Sequence, residues 1–329
     1  MGFEFDLIGY IRSRCAGDDL PVGIGDDAAQ LHSLQRPLVC MDTVVEDIHF
    51  RRGWSEPEHI GWKSLAVNLS DIAAMGGRTT HYVLAIASPP ATDQRWLERV
   101  IDGVLDCAES CAVNDQKPLL VGGDLTGSPE SLMITVTAIG EAPKTGPTRR
   151  GGAEPGDDIW VLGELGLASV GLEVLSREDA QHAVYPRSID AHRRPKPATQ
   201  LGFELGRRRL ATSMIDVSDG LLQDVHHLAR ESEISISVDA ARVELPGEVG
   251  HHCEGRKQCE ERHLLGGGED FALALTALPA NRQAIADLGR QWDVPAQRIG
   301  RALEKDSAHC ILDRSGEPLT TPVAGFQHF

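Results

Sequence analysis

Six short motifs put carboxylates where apolar runs give way to small residues. They are Asp26-Asp27 in GIGDDAA, Asp42 in CMDTVVEDIHF, Asp71 in NLSDIAAMGG, Asp124 in GGDLTG, Asp216 and Asp219 in IDVSDGL, and Glu269-Asp270 in GGGEDFAL. The apolar flanks imply partial burial, and burying that many like charges costs several kcal/mol apiece unless a cation compensates. The chain has only six lysines to do so. Hard divalent ions are the natural answer: all-oxygen donor sets suit Mg²⁺ or Ca²⁺ rather than Zn²⁺, and Mg²⁺ takes a few carboxylates together with waters and substrate phosphates. The chemistry that follows is phosphoryl transfer from a nucleotide.

Glycines beside the Asp residues let backbone N–H groups approach phosphate oxygens. Ser218-Asp219-Gly220 stands where a helix is expected to begin, so its N–H groups and the helix dipole should face the same phosphate. Arg150 can add a charged fork. Asp-Gly turns and Ser or Asp caps account for any one motif taken singly, but not for the apolar flanks of all six. His49, beside Phe50, reads equally as a packed imidazole or a ligand contact, and Trp54, Trp62 and Trp96 read as packing residues. Other nucleotide sites are missing: there is no GxxxxGK[ST], no HRD or DFG, and no GxGxxG. Metals must therefore handle the phosphate charge.

The elements that would hold these residues are legible in outline. A strand over Pro37–Val45 precedes a helix opened by a capping box, Ser55 with Glu58, and closed by Gly76-Gly77. On that helix Asn68 and Asp71 share a face away from the apolar stripe. Tyr82–Ala87 reads as a strand and Asp93–Cys111 as an amphipathic helix. Leu119–Val121 and Leu132–Ile139 read as two strands separated by a GGDLTG turn. The Gly- and Pro-rich EAPKTGPTRRGGAEPG, residues 141–156, makes a domain junction near 145 and divides the chain into 1–145 and 146–329. Beyond it helices are expected near 168–175, 198–209 and 221–232 and from Asn281, strands near 234–238 and 271–276, and a hairpin turn at Asp313-Arg314-Ser315-Gly316.

The formal charge of −17 disfavours nucleic acid as a partner. Seven scattered cysteines without a CxxC pair suggest neither a disulfide framework nor a zinc site, which fits reducing cytosol. No apolar run approaches the roughly 20 residues that cross a bilayer, and the first residues lack an export signal. A cytoplasmic protein without membrane partners is the expectation.

At these motifs, from GIGDDAA to the terminal GFQHF, the chain resembles the thiamine-monophosphate kinase family. The wider superfamily includes aminoimidazole ribonucleotide synthetase, selenophosphate synthetase and a hydrogenase-maturation dehydratase. The resemblance implies a two-domain α+β architecture: an N-terminal α/β domain that dimerises through its strands into a barrel, a C-terminal α/β domain, and ATP in the cleft between them. It further implies that Asp27, Asp42, Asp71, Asp124, Asp216 and Asp219 hold several Mg²⁺ ions. ATP contacts fall to Gly123, Asp124, Arg150 and Ser218, and thiamine phosphate contacts to His49, Glu269 and Phe326. Asp42, Asp124 and Arg150 would carry catalysis of direct in-line transfer from ATP to thiamine monophosphate, the last step to thiamine diphosphate. One departure is Cys40-Met41, where the family has hydroxyl residues, so that metal ligation there would fall to backbone carbonyls or be lost. Two other readings stay open: another ATP-using superfamily member, a ligase or synthetase, and a nucleotide-binding protein without catalysis. The reactive N-terminal Gly-rich Cys of the selenophosphate enzymes and the terminal Cys of the dehydratase have no counterpart here, although Cys15 exists.

Overall fold

Alternation in MITVTAIGE, with Ile134, Val136 and Ala138 buried and most residues between them half-exposed, marks a strand with one face on a core. The computed structural model describes residues 3–15, 20–177, 182–319 and 325. It divides into two units, Met1–Ile72 with Gly77–Ala142, and Ala73–Gly76 with Pro143–Phe329. The first contains α1 (Phe3–Arg14), β1 (Pro37–Val45), α2 (Pro57–Ala74), β2 (Arg78–Ser88), α3 (Gln94–Ser110), β3 (Leu119–Gly127) and β4 (Met133–Glu141). Its sheet runs β1-β4-β2-β3 and leaves β1 and β3 as open edges, so this unit alone is no closed barrel. Strand β4 is antiparallel to both neighbours, while β2 and β3 are parallel, a pairing that needs the crossover α3 supplies.

Two expectations are corrected here. GGDLTG is not a turn but the body of β3, with Gly123 opposite Leu84 and Asp124 opposite Ala85. Pairing wins over turn propensity because β2 passes so close that a Cβ on Gly123 would lie 1.9 Å from the Leu84 carbonyl oxygen. The capping box is also not made. The Glu56 carbonyl receives the first N–H groups, from His59 and Ile60, and the Glu58 carboxylate turns to Arg99 at 2.6 Å. At the next helix Asp93 does cap, accepting the Trp96 N–H at 3.2 Å.

The helices α2 and α3 meet backbone to backbone. A Cβ on Gly61 would fall 1.9 Å from the Val100 carbonyl oxygen, and one on Gly103 2.0 Å from that of Glu58. This close crossing lets Leu97, Val100, Ile101 and Val104 join Leu65, Leu69, Leu84 and Ile134 in one core.

The second unit contains β5 (Asp158–Leu162), α4 (Leu167–Leu175), α5 (Pro186–Arg193), α6 (Thr199–Arg207), β6 (Ser213–Val217), α7 (Leu221–Ser232), β7 (Ser235–Asp239), α8 (Gly247–Cys253), α9 (Lys257–Gly266), β8 (Ala272–Ala277), α10 (Arg282–Gln291), β9 (Ala296–Leu303) and β10 (Cys310–Leu312). Its sheet order is β10-β7-β9-β5-β8-β6. Strands β5, β6 and β8 are buried at every position because both faces are covered. Ile159, Val161, Ile215 and Val217 pack with α7 and α9, while Trp160, Leu162 and Met214 pack with α6 and α10. The hairpin expected at Asp313–Gly316 forms, with Leu319 N–H donating to Ile311 O at 2.8 Å. A disulfide, Cys253–Cys259, corrects the expectation of none: the end of α8 and the first turn of α9 bring the two Cα atoms to 5.4 Å. None of the described helices is long and apolar enough to cross a membrane.

The glycine crossing can be checked directly. Gly103→Ala should lower the unfolding free energy of the first unit by about 1–3 kcal/mol through overpacking, read as a shift in a urea or thermal unfolding curve.

Candidate functional site

In the first unit, alternation along β1 puts Cys40, Asp42 and Val44 on one face and Val39, Met41 and Thr43 on the other. The former face meets α2. Asn68, fully buried, accepts the Asp42 N–H on Oδ1 at 3.1 Å and donates its own Nδ2 to Ser64 O at 3.1 Å. The Cys40 thiol donates to Asn68 O at 3.4 Å and toward the Asp71 carboxylate. Burial pushes that thiol up, with Asp71 and Asp42 adding to it, so it stays protonated. Cys40, Asn68, Asp42 and Asp71 thus form one group. The Cys40 side chain is used as a hydrogen-bond donor to a carboxylate, whereas Met41 points away, 65% exposed.

Asp124 does not join this group within the chain. A single row runs Thr43, Thr135, Ala85, Asp124, and the Thr43 and Thr135 hydroxyls meet at 2.8 Å on the helix-free face. Asp42 is opposite Val136, on the other face. Three strand spacings, about 14 Å, also separate the edge strands β1 and β3. Gly123 and Asp124 are exposed. Asp27 is exposed in a loop closed by the Val22–Gln30 bridge. His49 helps build the turn after β1: its Nδ1 accepts the Val45 N–H at 3.1 Å, and its carbonyl accepts from Lys63 Nζ at 3.2 Å. Lys63, 3% exposed, was not anticipated. Its signal was a position two helical turns before Asp71, on the same face of α2.

In the second unit, β6 delivers buried Asp216 to the loop that starts α7. There the structure overturns one expectation. The N–H groups of Ser218, Asp219 and Gly220 do not wait for a phosphate; all three donate to Asp224 Oδ2, at 3.2, 3.2 and 3.1 Å. Asp224 lies one turn into α7, on the face that looks back at the loop, and Gly220 at φ 128° makes the bend. Burial pushes Asp224 up to about 7, with Asp216 and Asp219 raising it further against the three N–H groups. This is the mark of three carboxylates crowded together. Donor atoms of Asp219, Asp224 and His227 lie within 4.8 Å of one another, a set that fits a divalent ion.

The GGGED loop packs on the same place. Glu269 N–H donates to Ser218 O and Phe271 N–H to Val217 O, each at 2.8 Å, and both residues hold positive φ, 66° and 49°. Such strain in residues with side chains persists where surroundings enforce it. Glu269 Oε2 lies 2.9 Å from Nδ1 of buried His192. Asp270 caps the start of α4, accepting N–H groups of Gly166 at 2.8 Å and Ala168 at 3.4 Å. Exposed Arg150 stands near His227, whose pKa is lowered by burial, then by Arg230 and Arg150. Asp224 and His192 escaped the sequence reading, since neither sits in a glycine-rich motif. Phe326 lies outside the described residues.

Family models describe both halves of the chain: AIR synthase related protein, N-terminal domain, over residues 25–142, and AIR synthase related protein, C-terminal domain, over residues 154–313. Thiamine-monophosphate kinase of Escherichia coli K12 is 35% identical over 99% of this chain and 98% of its own. That of Bacillus subtilis 168 is 33% identical over 99% of both. Among solved structures, thiamine-monophosphate kinase from Stenotrophomonas maltophilia K279a matches with a TM-score of 0.81 at 35% identity, covering 96% of this chain and 98% of that one. AaThiL complexed with AMPPCP and TMP matches with a TM-score of 0.74 at 29% identity, covering 99% and 97%.

The pH dependence of stability tests the GGGED corner. Burial pushes Asp270 up to about 8. A carboxyl raised on folding contributes stability that is fully present below its ordinary value near 4 and is lost as pH rises through 8. Thermal stability should therefore fall progressively between about pH 4 and 8 and level off above that, and Asp270→Asn should flatten that slope.

Proposed function

Because the chain belongs to the thiamine-monophosphate kinase family within the AIR synthase related proteins, we propose that it transfers the γ-phosphoryl group of ATP to the phosphate of thiamine monophosphate, giving thiamine diphosphate and ADP. The observation that carries the proposal is the crowding of Asp216, Asp219 and Asp224, where burial first and then the charges of Asp216 and Asp219 raise Asp224 and call for a cation. Mg²⁺ bound by these carboxylates would neutralise phosphate oxygens as charge develops on them. The acceptor phosphate is already anionic near neutral pH, so the residues need not supply a strong base. Their work is alignment and charge neutralisation.

In this reading Asp42 and Asp71 hold one ion, steadied by Asn68 at the Asp42 backbone and by the Cys40 S–H at Asp71. Asp124 serves a different ion, because its strand edge and sheet face differ from theirs. Asp27 adds a carboxylate from the GIGDDAA loop. Gly123, Arg150 and Ser218 contact ATP, and Arg150 offsets charge on the transferred group. Ser218 acts through its side chain, because its N–H is taken by Asp224 and its carbonyl by the Glu269 N–H. His49, Glu269 and Phe326 contact thiamine phosphate, with His192 fixing Glu269. Units 1–145 and 146–329 each bring part of the ligand set, and the enzyme works in the cytoplasm.

The partner is a second copy of this chain, joined through β1. That edge strand offers unpaired backbone, and Val39, Met41 and Met133 on the helix-free face are 67%, 65% and 37% exposed. A Val39→Lys, Met41→Lys protein should sediment as a monomer while keeping native circular dichroism; an unchanged dimer would remove β1 from the interface.

Turnover is tested by following ADP and thiamine diphosphate from Mg·ATP with and without thiamine monophosphate. ADP formation that depends on that substrate is expected; ATP binding without turnover would favour the non-catalytic reading. Asp42→Asn and Asp124→Asn should each lower kcat by about 10²-fold or more. Since Asp42 and Asp71 serve one ion, Asp42→Asn with Asp71→Asn should be little worse than either alone, whereas Asp42→Asn with Asp124→Asn should multiply.

A further inference from the structure

A second group of ligating side chains lies in the second unit, apart from the phosphoryl-transfer residues. Cys259 and His263 are four apart on α9 and so share a face, and His252 closes the last turn of α8 opposite them. One donor atom from each of His252, Cys259 and His263 falls within 4.8 Å of the others. The two histidines are nearly buried, at 7% and 4% exposure, and their rings meet edge to face at 5.4 Å. Glu173 of α4 brings a carboxylate to 3.4 Å from Nε2 of both. His263 Nδ1 is held by Ser169 Oγ at 2.8 Å, which orients the ring and leaves Nε2 toward the cluster. Cys259 is joined to Cys253 in the disulfide, so its sulfur is not a thiolate in this state.

We propose that Cys259, His252 and His263 form a site for a borderline divalent ion such as Zn²⁺, which the Cys253–Cys259 disulfide closes and its reduction opens. Thiolate with imidazole is the donor class that selects such ions over Mg²⁺. Bond lengths of about 2.0–2.3 Å to nitrogen and sulfur require the donors to draw in by about an ångström. The α9 pair can do this by rotamer change, because its backbone spacing is already that of a His and Cys at i and i+4. Binding exchanges one interaction: Arg262 Nη2 now lies 3.1 Å from His263 Nε2 and would give way to the ion, keeping its 2.7 Å contact with Glu173. Glu173 supplies negative charge beside the ion, and a water or that carboxylate completes a tetrahedron. In the opening step a dithiol donates two electrons and two protons. The S–S bond becomes two S–H groups, and the reductant closes to its own disulfide. The ion then displaces the Cys259 thiol proton to solvent.

The test uses Co²⁺ as the probe, because a thiolate ligand gives it a charge-transfer absorption that carboxylate sites for Mg²⁺ lack. The full chain is titrated with Co²⁺ after reduction and after oxidation, with thiols counted in each state. One equivalent with the sulfur band is expected in the reduced protein and none in the oxidised. Cys253→Ser, which leaves the three ligands but prevents the disulfide, should bind without reductant. Cys259→Ser should show no sulfur band in either state. The site is overturned if reduced wild type and Cys259→Ser give the same spectrum, or if neither wild type nor Cys253→Ser shows the band. The switch is overturned if oxidation leaves both thiols free or the band intact.

Discussion

Like charges held out of water cannot stay together unless something neutralises them, and the second unit is built around that constraint. Asp216 arrives buried on β6, Asp219 on the loop and Asp224 on α7. Ionised together they repel in a medium of lower dielectric than water. The fold answers partly with dipoles, three N–H groups on one oxygen of Asp224, and partly by leaving that carboxyl raised to about 7. A proton or a metal ion can finish the neutralisation. Much nearby follows from it: Gly220 must take a positive φ to aim the N–H groups inward, and the GGGED loop must lie flat enough for Glu269 N–H to reach Ser218 O. Gly220 and Gly268 stand where a side chain would strike Gly266 or the Ser218 carbonyl.

The first unit meets a milder form of the same constraint with different means. Asp42 and Asp71 are more open to water, and the charge between them is tempered by a neutral donor, the Cys40 thiol. A cysteine in place of a hydroxyl is chemically coherent here because burial between two carboxylates keeps the sulfur protonated. It then behaves as a weak hydroxyl, a donor aimed at Asp71, rather than as a nucleophile. The Asn68 amide completes the arrangement by tying strand to helix at the Asp42 backbone.

Periodicity made the main elements readable: the 17-residue α3 with its apolar stripe, β1 with its bounds, and α7 after its Ser-Asp-Gly start. The errors share a physical origin, because a local signal competes with a partner the sequence does not reveal. GGDLTG has the composition of a turn, yet β2 recruits it as an edge strand. Glu58 has the spacing of a capping box, yet Arg99 across the helix pair offers a charged fork. A motif marks a carboxylate only where small or glycine neighbours surround it in the sequence. Asp224 and His192 carry no such mark, because a carboxylate one turn into a helix and a histidine at a helix end look ordinary until folding brings a loop to them. Cys253 and Cys259 were likewise invisible as a pair, since six residues of separation close only when two short helices turn back on each other.

A net charge of −17 repels two phosphorylated substrates, but the distribution of cations makes the choice intelligible. Lys63, the buried lysine of the first unit, is engaged with the His49 carbonyl, and Arg150 beside the second cluster is exposed to water. Fixed positive charge in the protein would bind ATP and ADP alike and slow the release of product. Carboxylates that bind metal ions make phosphate affinity conditional on the ions present, and the ions follow the phosphates they bridge. Acidic sites of that kind would bind a metal–phosphate complex strongly and a bare phosphate hardly at all. On that argument the surplus of Asp and Glu would let this chain distinguish Mg·ATP from other anions, and adding lysines near the carboxylates would relax that distinction.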